Sequence, residues 1–310
     1  MTVRVLHAAA AACLLTVATA AQSPLPRTPD GHPDLQGVWD YLTITPLERP
    51  KEFAGRKVFT PAQAEAFTRG TSTRDFNDLP KLEQQVNADL VGDLATVDEG
   101  SLDPSLRTSI IVSPPNGKMP LTPKARALQA ARRKKRKLPP DGPESMPLSE
   151  RCLPDVAGPP LLPTAYNNNI QIVQTPDYVL IETEMIHDAR IIPLDGRPHL
   201  PKGIREWNGD SRARWEGDTL VIDTTNFRRV NALGPATAAL HVIERLTLTG
   251  DRSLLYEFTV RDPAAFTRPW SGAYTIRRTD ARMFEFACHE GNYSIAGTLK
   301  GARMPAAKPK

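Results

Sequence analysis

The sequence predicts a mainly β protein, an antiparallel up-and-down β-barrel or a sandwich, behind a Pro-rich segment that carries short helices. After about residue 169 the chain is a series of short runs rich in Val, Ile, Thr and aromatic residues, separated by turn signals such as Glu216-Gly217-Asp218. Of the 30 prolines, 21 precede residue 164, where they disfavour long strands. Because consecutive hairpins suit up-and-down connection and closure removes exposed sheet edges, the barrel is preferred.

Residues 1–21 have the pattern of a signal peptide. Arg4 precedes an apolar run over 8–17, and Ala18-Thr19-Ala20 provides a small-x-small cleavage site. The apolar run is shorter than the roughly 20 residues that a membrane-spanning helix needs. We therefore expect a soluble mature chain that is periplasmic or secreted.

Residues 22–165 form the Pro-rich segment, which we predict to be irregular apart from two short helices and one early strand. Thr60-Pro61 and Thr122-Pro123 each place a capping residue before a proline at the first helical position. The early strand contains Gly37-Val38-Trp39. A Gly-x-Trp on a first strand is similar to that of the lipocalins, and this resemblance implies a lipocalin-like barrel.

The second predicted helix ends in a basic run. Residues 118–137 contain nine basic side chains and no acid, whereas the whole chain has a net charge of only +4, so the remainder is net negative. This local basicity gives no reason to expect a nucleic-acid partner. The run is either a solvated helix end or a patch for an anionic partner, an envelope surface or a nucleic acid, and of these the envelope surface is the one expected. Its residues are Arg132, Arg133, Lys134, Lys135, Arg136 and Lys137.

The barrel domain is predicted over residues 166–300, followed by a disordered tail over 301–310. Nine runs in or near this range have strand composition. They span 170–174, 178–187, 189–194, 213–215, 219–225, 240–249, 253–262, 272–279 and 283–289.

Two cysteines, Cys152 and Cys288, remain once the signal peptide is removed. In an oxidising compartment, a single disulfide between them is the economical interpretation. Metal ligation is the weaker alternative, because two isolated thiols without Cys-x-x-Cys spacing lack the pattern of a zinc site. The histidines are also scattered, so we expect neither a metal site nor a cofactor.

Alternation along the strands places two catalytic candidates inside the barrel. Glu244 interrupts an apolar row of even positions in the run 240–249, and His187 ends an inward row of odd positions that leaves Glu182 and Glu184 in water. A buried carboxylate must be paired, hydrogen-bonded or protonated. Two interpretations remain open: an arginine holds Glu244 as a structural ion pair, or His187 and Glu244 act as general acid and base.

The remaining candidates line a predicted ligand pocket. Inward aromatic residues form its base, the arginine-rich loops between 195 and 212 form its rim, and Glu290 continues an inward row. Turn formation and local ion pairing are the alternative roles of the loop residues. The full set is Arg190, Arg197, His199, Arg212, Trp215, Tyr256, Phe258, Phe286 and Glu290.

The motifs of common nucleotide-binding, zinc-protease and serine-hydrolase mechanisms do not occur in the sequence. Several longer segments resemble a large group of uncharacterised exported bacterial proteins. They are 166–169 (YNNN), 187–199 (HDARIIPLDGRPH), 209–212 (GDSR), 215–227 (WEGDTLVIDTTNF) and 288–293 (CHEGNY). The resemblance extends over nearly the whole mature chain and implies export, without implying an activity.

The sequence leaves three functions open. The first is binding of a small, partly apolar or anionic ligand in a barrel pocket. The second is an acid–base enzyme, an isomerase or hydrolase, that uses His187 and Glu244. The third is a structural role at the envelope, through contact of the basic run with an anionic surface.

Overall fold

The structure is a computed structural model of the 310-residue chain. It describes residues 25–77, 100–135, 140, 142–146, 148–154, 158–164, 166–228, 233 and 235–304. The predicted signal peptide, residues 1–21, and residues 305–310 of the predicted tail lie outside this part of the chain. Among the helices that are described, none combines the length and the hydropathy of a membrane-spanning segment.

The described chain contains ten strands and three α-helices. The strands are β1 (Gly37–Asp40), β2 (Ile111–Ser113), β3 (Asn169–Gln174), β4 (Tyr178–Thr183), β5 (Asp188–Pro193), β6 (Asp210–Glu216), β7 (Thr219–Thr225), β8 (His241–Gly250), β9 (Ser253–Arg261) and β10 (Trp270–Arg278). The helices are α1 (Pro61–Asn77), α2 (Pro123–Lys135) and α3 (Ser294–Ala302).

The strands form one antiparallel sheet that curls into a nearly closed barrel, which confirms the predicted fold class. Their order is β5-β4-β3-β1-β10-β9-β8-β7-β6, and β2 pairs with β10. Successive strands from β6 to β10 are neighbours, as the predicted up-and-down connection requires. Strands β5 and β6 are the first and last strands of this order, and the curl of the sheet brings them side by side. In the described residues no ladder of backbone hydrogen bonds joins them. We call this unpaired junction the seam.

Helices α1 and α2 begin at the prolines that the sequence predicts. At α1 the Gln63 backbone N–H donates to Thr60 Oγ1 at 3.3 Å, and at α2 the Ala125 N–H donates to Thr122 Oγ1 at 3.2 Å. These threonines satisfy N–H groups that lack a partner within the helix. The local cap chemistry therefore determines where both helices start.

Alternation along β8 decides which of its side chains are inside. Val242, Glu244, Leu246 and Leu248 are buried, and the residues between them are partly exposed. The same period of two occurs in β9 and β10. The buried rows of these strands face one another and form the core.

The interior of the barrel is filled by aromatic rings and by a segment that crosses it. The rings of Tyr256 and Tyr274 lie 5.4 Å apart, and those of Phe258 and Trp270 lie 5.6 Å apart. The backbone of Leu161 joins this core: its N–H donates to the Tyr256 hydroxyl at 2.9 Å, and its carbonyl accepts from the Tyr274 hydroxyl at 3.1 Å. The prediction that Tyr256 and Phe258 line an open pocket is therefore wrong, because both are packed in the core.

The sheet uses residues on both sides of the domain boundary predicted near residue 165. Strand β1 lies between β10 and β3, where Trp39 pairs with Arg278 on one side and with Ile170 on the other. The Trp39 side chain is completely buried, and its indole N–H donates to the Leu35 carbonyl at 2.8 Å. The early strand is thus a central member of the barrel.

The predicted strand at 283–289 is wrong, because this segment is irregular. Strand β10 ends at Arg278, and both of its edges are already paired, with β9 on one side and with β1 and β2 on the other. Phe286 is therefore only partly buried and Glu290 is exposed, so neither lies on an inward barrel row. The sequence prediction also missed helix α3, which extends to Ala302 within the range expected to be disordered.

The disulfide between Cys152 and Cys288 is confirmed, with the two Cα atoms 5.6 Å apart. It links the irregular segment after β10 to the segment that precedes Leu161 in the barrel interior. A further contact holds the same region, because the Phe284 N–H donates to Glu184 Oε1 at 3.0 Å. Glu184 is therefore buried, contrary to its predicted position in water.

Candidate functional site

A groove of about 500 Å³ lies along the seam between β5 and β6. One wall is formed by the start of β5, residues 188–191, and the other by residues 209–211 at the start of β6. The loop residues 205–208 and Arg228 add to the lining, which Cys152, Pro154 and Ile186 complete. The groove thus forms at the junction where sheet pairing is missing, and we call it the seam groove.

Asp188 is the acidic group of the β5 wall. Its carboxylate accepts a hydrogen bond from the Asn208 side-chain amide, which joins β5 to the loop before β6. Burial raises the pKa of Asp188, and this effect outweighs the opposing hydrogen bond from the Ala189 N–H and the charge of Arg190. A carboxyl group with a raised pKa in a groove can accept or donate a proton more readily than one in open water.

The loop wall carries an aromatic and a cationic group in contact with each other. The Arg228 guanidinium carbon lies 4.9 Å from the centroid of the Trp207 ring, which is a cation–π distance. The loop approaches β7 closely at Gly209, whose φ is +70° and where a Cβ atom would lie 2.5 Å from the Thr225 carbonyl oxygen. Only glycine fits this approach, so Gly209 fixes the position of the loop that presents Trp207.

Arg190 lines the seam groove, but its guanidinium is directed into the barrel and binds Glu244. The two groups form a bidentate pair, with Nη1 to Oε2 at 2.7 Å and Nη2 to Oε1 at 3.2 Å. The Tyr256 hydroxyl donates to Glu244 Oε1 at 2.8 Å. Burial, followed by the negative charge of Glu244, raises the pKa of Tyr256 well above its ordinary value. Glu244 therefore has the structural partner that one of the two interpretations requires.

His187 does not reach this interior site. Strand β4 ends at Thr183, and a short turn carries His187 to the surface, where half of its side chain is exposed and its Nε2 lies 3.5 Å from Glu182 Oε1. The inward direction predicted for His187 is wrong because the chain leaves the strand before that residue. The structure therefore does not bring His187 and Glu244 together as an acid–base pair.

A second cluster of polar side chains lies on the outer face of β6, β7 and β8. His199 Nδ1 lies 2.8 Å from Asp210 Oδ2, and His199 Nε2 lies 3.1 Å from Asp223 Oδ1. The same Asp223 oxygen lies 2.9 Å from His241 Nε2, and Arg212 Nη1 donates to Asp210 Oδ1 at 2.6 Å. We call these five side chains the relay cluster. It holds the loop that contains His199 against the outside of the barrel.

The carboxylates of the relay cluster are satisfied by their neighbours. Asp210 also accepts the Leu200 N–H at 2.9 Å. Burial raises the pKa of Asp223, but the hydrogen bonds and charges of His241 and His199 together outweigh this effect. The pKa of Asp223 therefore lies below its usual value. Asp223 is thus an ionised partner of the two imidazoles near neutral pH.

Two further predicted ligand residues make local contacts away from the seam groove. The Arg197 guanidinium pairs with Asp195 and donates to the Tyr178 hydroxyl at 3.2 Å, as the turn-and-ion-pair alternative describes. The Trp215 ring stacks on His32, with the ring centroids 4.6 Å apart. Phe286 and Glu290, on the irregular segment after β10, do not line the groove.

The basic run can be followed only in part. Its first four residues, Arg132 to Lys135, form the end of helix α2, and Arg136 and Lys137 lie outside the described residues. In the described part of the chain, no group of three or more His, Cys, Asp and Glu side chains has the arrangement of a metal site.

Sequence reasoning missed several of the polar residues that the structure brings together. They are Asp188, Asp223, Arg228 and His241. Trp207 and Asp210 lie within the predicted rim loops, but neither was in the candidate set. Asp188 and Asp210 lie inside the segments that resemble the exported group, two residues from the candidates Arg190 and Arg212. This short separation was the sequence signal that could have identified them. His241 is partly exposed at the start of β8, where its Nε2 contacts the same Asp223 oxygen as His199.

Comparisons with known proteins do not assign a function. No family model matches the chain, and no curated protein matches its sequence. A crystal structure of a point mutant of the fluorescent protein UnaG is similar over 43% of this chain and 86% of that chain, with 12% sequence identity and a TM-score of 0.25. At this TM-score the similarity carries no argument about what this chain does.

Proposed function

We propose that this protein binds a small, partly apolar ligand in the seam groove. The observation that carries the proposal is the groove of about 500 Å³ between two unpaired strand edges, lined by carboxylate, guanidinium and indole groups. The packed core around Leu161 and Tyr256 argues against a ligand at the centre of the barrel. The ligand-binding role predicted for the interior is thereby reassigned to the seam.

The lining determines the chemistry of the ligand. Asp188 offers a hydrogen-bonding carboxyl group, Trp207 offers apolar area, and Arg228 lies over the indole ring. Because the lining contains both acidic and basic groups, the groove suits an uncharged molecule that has a ring and at least one hydroxyl or aromatic amine group. A strongly anionic ligand would meet Asp188 and Glu206.

We further propose that the chain is exported and belongs to the group of uncharacterised exported proteins that its motifs resemble. The disulfide supports an oxidising compartment. Segments 187–199 and 209–212 of that resemblance supply residues of both groove walls. The motifs and the groove therefore involve the same part of the molecule.

The experiment is a thermal-shift screen of the mature chain with sugars, aromatic alcohols and amines, and lipids. A compound that binds the folded state raises the melting temperature, and the increase grows with the logarithm of its concentration once that concentration exceeds Kd. A hit is then titrated by tryptophan fluorescence. We expect Trp207→Phe to remove the ligand-dependent change and Trp215→Phe to retain it, because Trp215 stacks on His32 away from the groove.

A matched pair of carboxylate variants tests the polar contact. Asp188→Asn should weaken binding of the hit by about tenfold or more, the usual cost of losing a hydrogen bond to a charged group. Asp177→Asn, in the exposed turn between β3 and β4, should leave the affinity unchanged. A hit that binds Asp188→Asn and Trp207→Phe as tightly as the wild type would refute binding in the seam groove. The absence of any hit from the screen would also count against the proposal.

A further inference from the structure

A second groove, of about 650 Å³, lies on the outside of the barrel beside the start of β8. Lys202 and Arg205 contribute one side, and residues 238–240 contribute an apolar surface that ends at the buried Leu240. His241 and the end of β7 close the groove. We call it the outer groove, and it shares only Arg205 with the lining of the seam groove.

The charge of the outer groove is one-sided. Its lining contains Lys202, Arg205 and His241 but no Asp or Glu. Lys202 and Arg205 form no ion pair with any carboxylate in the described residues. Arg205 is nevertheless held in place, because its Nη1 donates to the carbonyls of Phe227 at 3.1 Å and Ala238 at 2.8 Å. A fixed guanidinium without a carboxylate partner is a group that recognises anions.

The relay cluster contains the carboxylate that contacts His241, one of the residues lining the outer groove. Asp223 directs one oxygen at both His241 Nε2 and His199 Nε2, at 2.9 and 3.1 Å. Asp210, at the far end of the cluster, is occupied by His199, Arg212 and the Leu200 N–H. These two carboxylates thus have partners within the cluster, while Lys202 and Arg205 have no carboxylate partner in the described residues.

We propose that the outer groove binds a small carboxylate that carries a short apolar chain. The carboxylate group is placed between Lys202 and Arg205, and the chain lies on the surface formed by Ala238, Ala239 and Leu240. The cations supply charge complementarity, and the apolar surface distinguishes this ligand from an inorganic anion. The site is separate from the proposed uncharged ligand of the seam groove.

The test is a titration of the mature chain with sodium hexanoate, followed through the backbone amide resonances of Leu240 and His241. Sodium phosphate provides the anion without the chain, and 1-hexanol provides the chain without the charge. We expect saturable shifts with hexanoate that weaken as sodium chloride is raised, and clearly weaker binding of the other two probes.

Variants localise the binding. Lys202→Gln should weaken hexanoate roughly three- to fivefold, as expected for an exposed charge contact. Ala239→Glu, which adds a carboxylate to the exposed apolar surface, should abolish binding. Lys57→Gln removes another exposed lysine, in a different region of the fold, and it should leave the affinity unchanged. Arg205 is not used as a probe because it also tethers two backbone carbonyls.

Four results would overturn the proposal: no saturable shift with hexanoate, equal affinity for phosphate, equal affinity for hexanol, or equal weakening by Lys202→Gln and Lys57→Gln. The titration requires no ligand in the seam groove. Failure here therefore leaves the seam proposal standing, and failure of the seam screen leaves this one standing.

Discussion

Replacement of Glu244 by Gln should lower the free energy of unfolding by about 3–5 kcal/mol, the usual cost of breaking a buried ion pair. Glu244 is completely buried, and Arg190 is 8% exposed. Glutamine keeps the size of the side chain and one oxygen for the Tyr256 hydroxyl, so the loss does not come from a cavity. It comes from the guanidinium of Arg190, which stays buried without the charge that neutralised it.

The assay is urea unfolding followed by circular dichroism and by tryptophan fluorescence. The midpoint should fall while the slope stays constant, because the surface exposed on unfolding is unchanged. Arg245→Gln is the control. Arg245 follows Glu244 on β8 but points outward, and its pair with Glu216 is solvent-exposed, so this variant should unfold close to the wild type.

A double variant tests whether the stability lost in Glu244→Gln comes from the charge that is left buried and unpaired. Arg190→Met combined with Glu244→Leu removes both charges and should lose less stability than Glu244→Gln alone, because no unpaired charge remains in the core. A folded Glu244→Gln protein whose unfolding free energy lies within about 1 kcal/mol of the wild type would refute this reasoning. So would a double variant that is less stable than Glu244→Gln.

Three further predictions concern packing, the disulfide and pH. Gly272→Ala should lower the free energy of unfolding by about 1–3 kcal/mol or more, because the added Cβ would lie 2.3 Å from Phe258 Cζ. At Gly250 the nearest atom to an added Cβ is 3.7 Å away, so Gly250→Ala should leave the urea midpoint close to that of the wild type. Replacing both cysteines of the disulfide by serine should lower the unfolding free energy by up to about 5 kcal/mol in the same assay, from the loop closed across a separation of 136 residues, and an unchanged midpoint would contradict this. The pKa of Asp223 is lowered in the folded state, so the stability that its ionised form contributes should be complete above the ordinary aspartate pKa and be lost as the pH falls through the pKa of the folded protein. Asp223→Asn should therefore lower the free energy of unfolding at neutral pH. The difference in this free energy between the variant and the wild type should shrink toward about pH 3.

Much of the barrel was predictable because strand alternation is a local property. The row that contains Glu244 has the predicted inward direction in β8, and the predicted strand at 219–225 has the bounds of β7. The candidate sites were predictable only in part. Arg190 was a named candidate partner of Glu244, but His187 was assigned inward on the assumption that β4 continues beyond Thr183, where the chain instead turns.

The amino-acid sequence by itself determined the local features: the period of two along the strands and the starts of α1 and α2 at Pro61 and Pro123. Each depends on side-chain chemistry within a few residues. Only the tertiary structure decided where β1 and β2 pair and which two strands meet where the barrel closes. Insertion of β1 beside β10 left no edge for the predicted last strand, and the unpaired meeting of β5 and β6 created the seam groove. These outcomes depend on contacts between residues far apart in the chain, for which a local pattern carries no information.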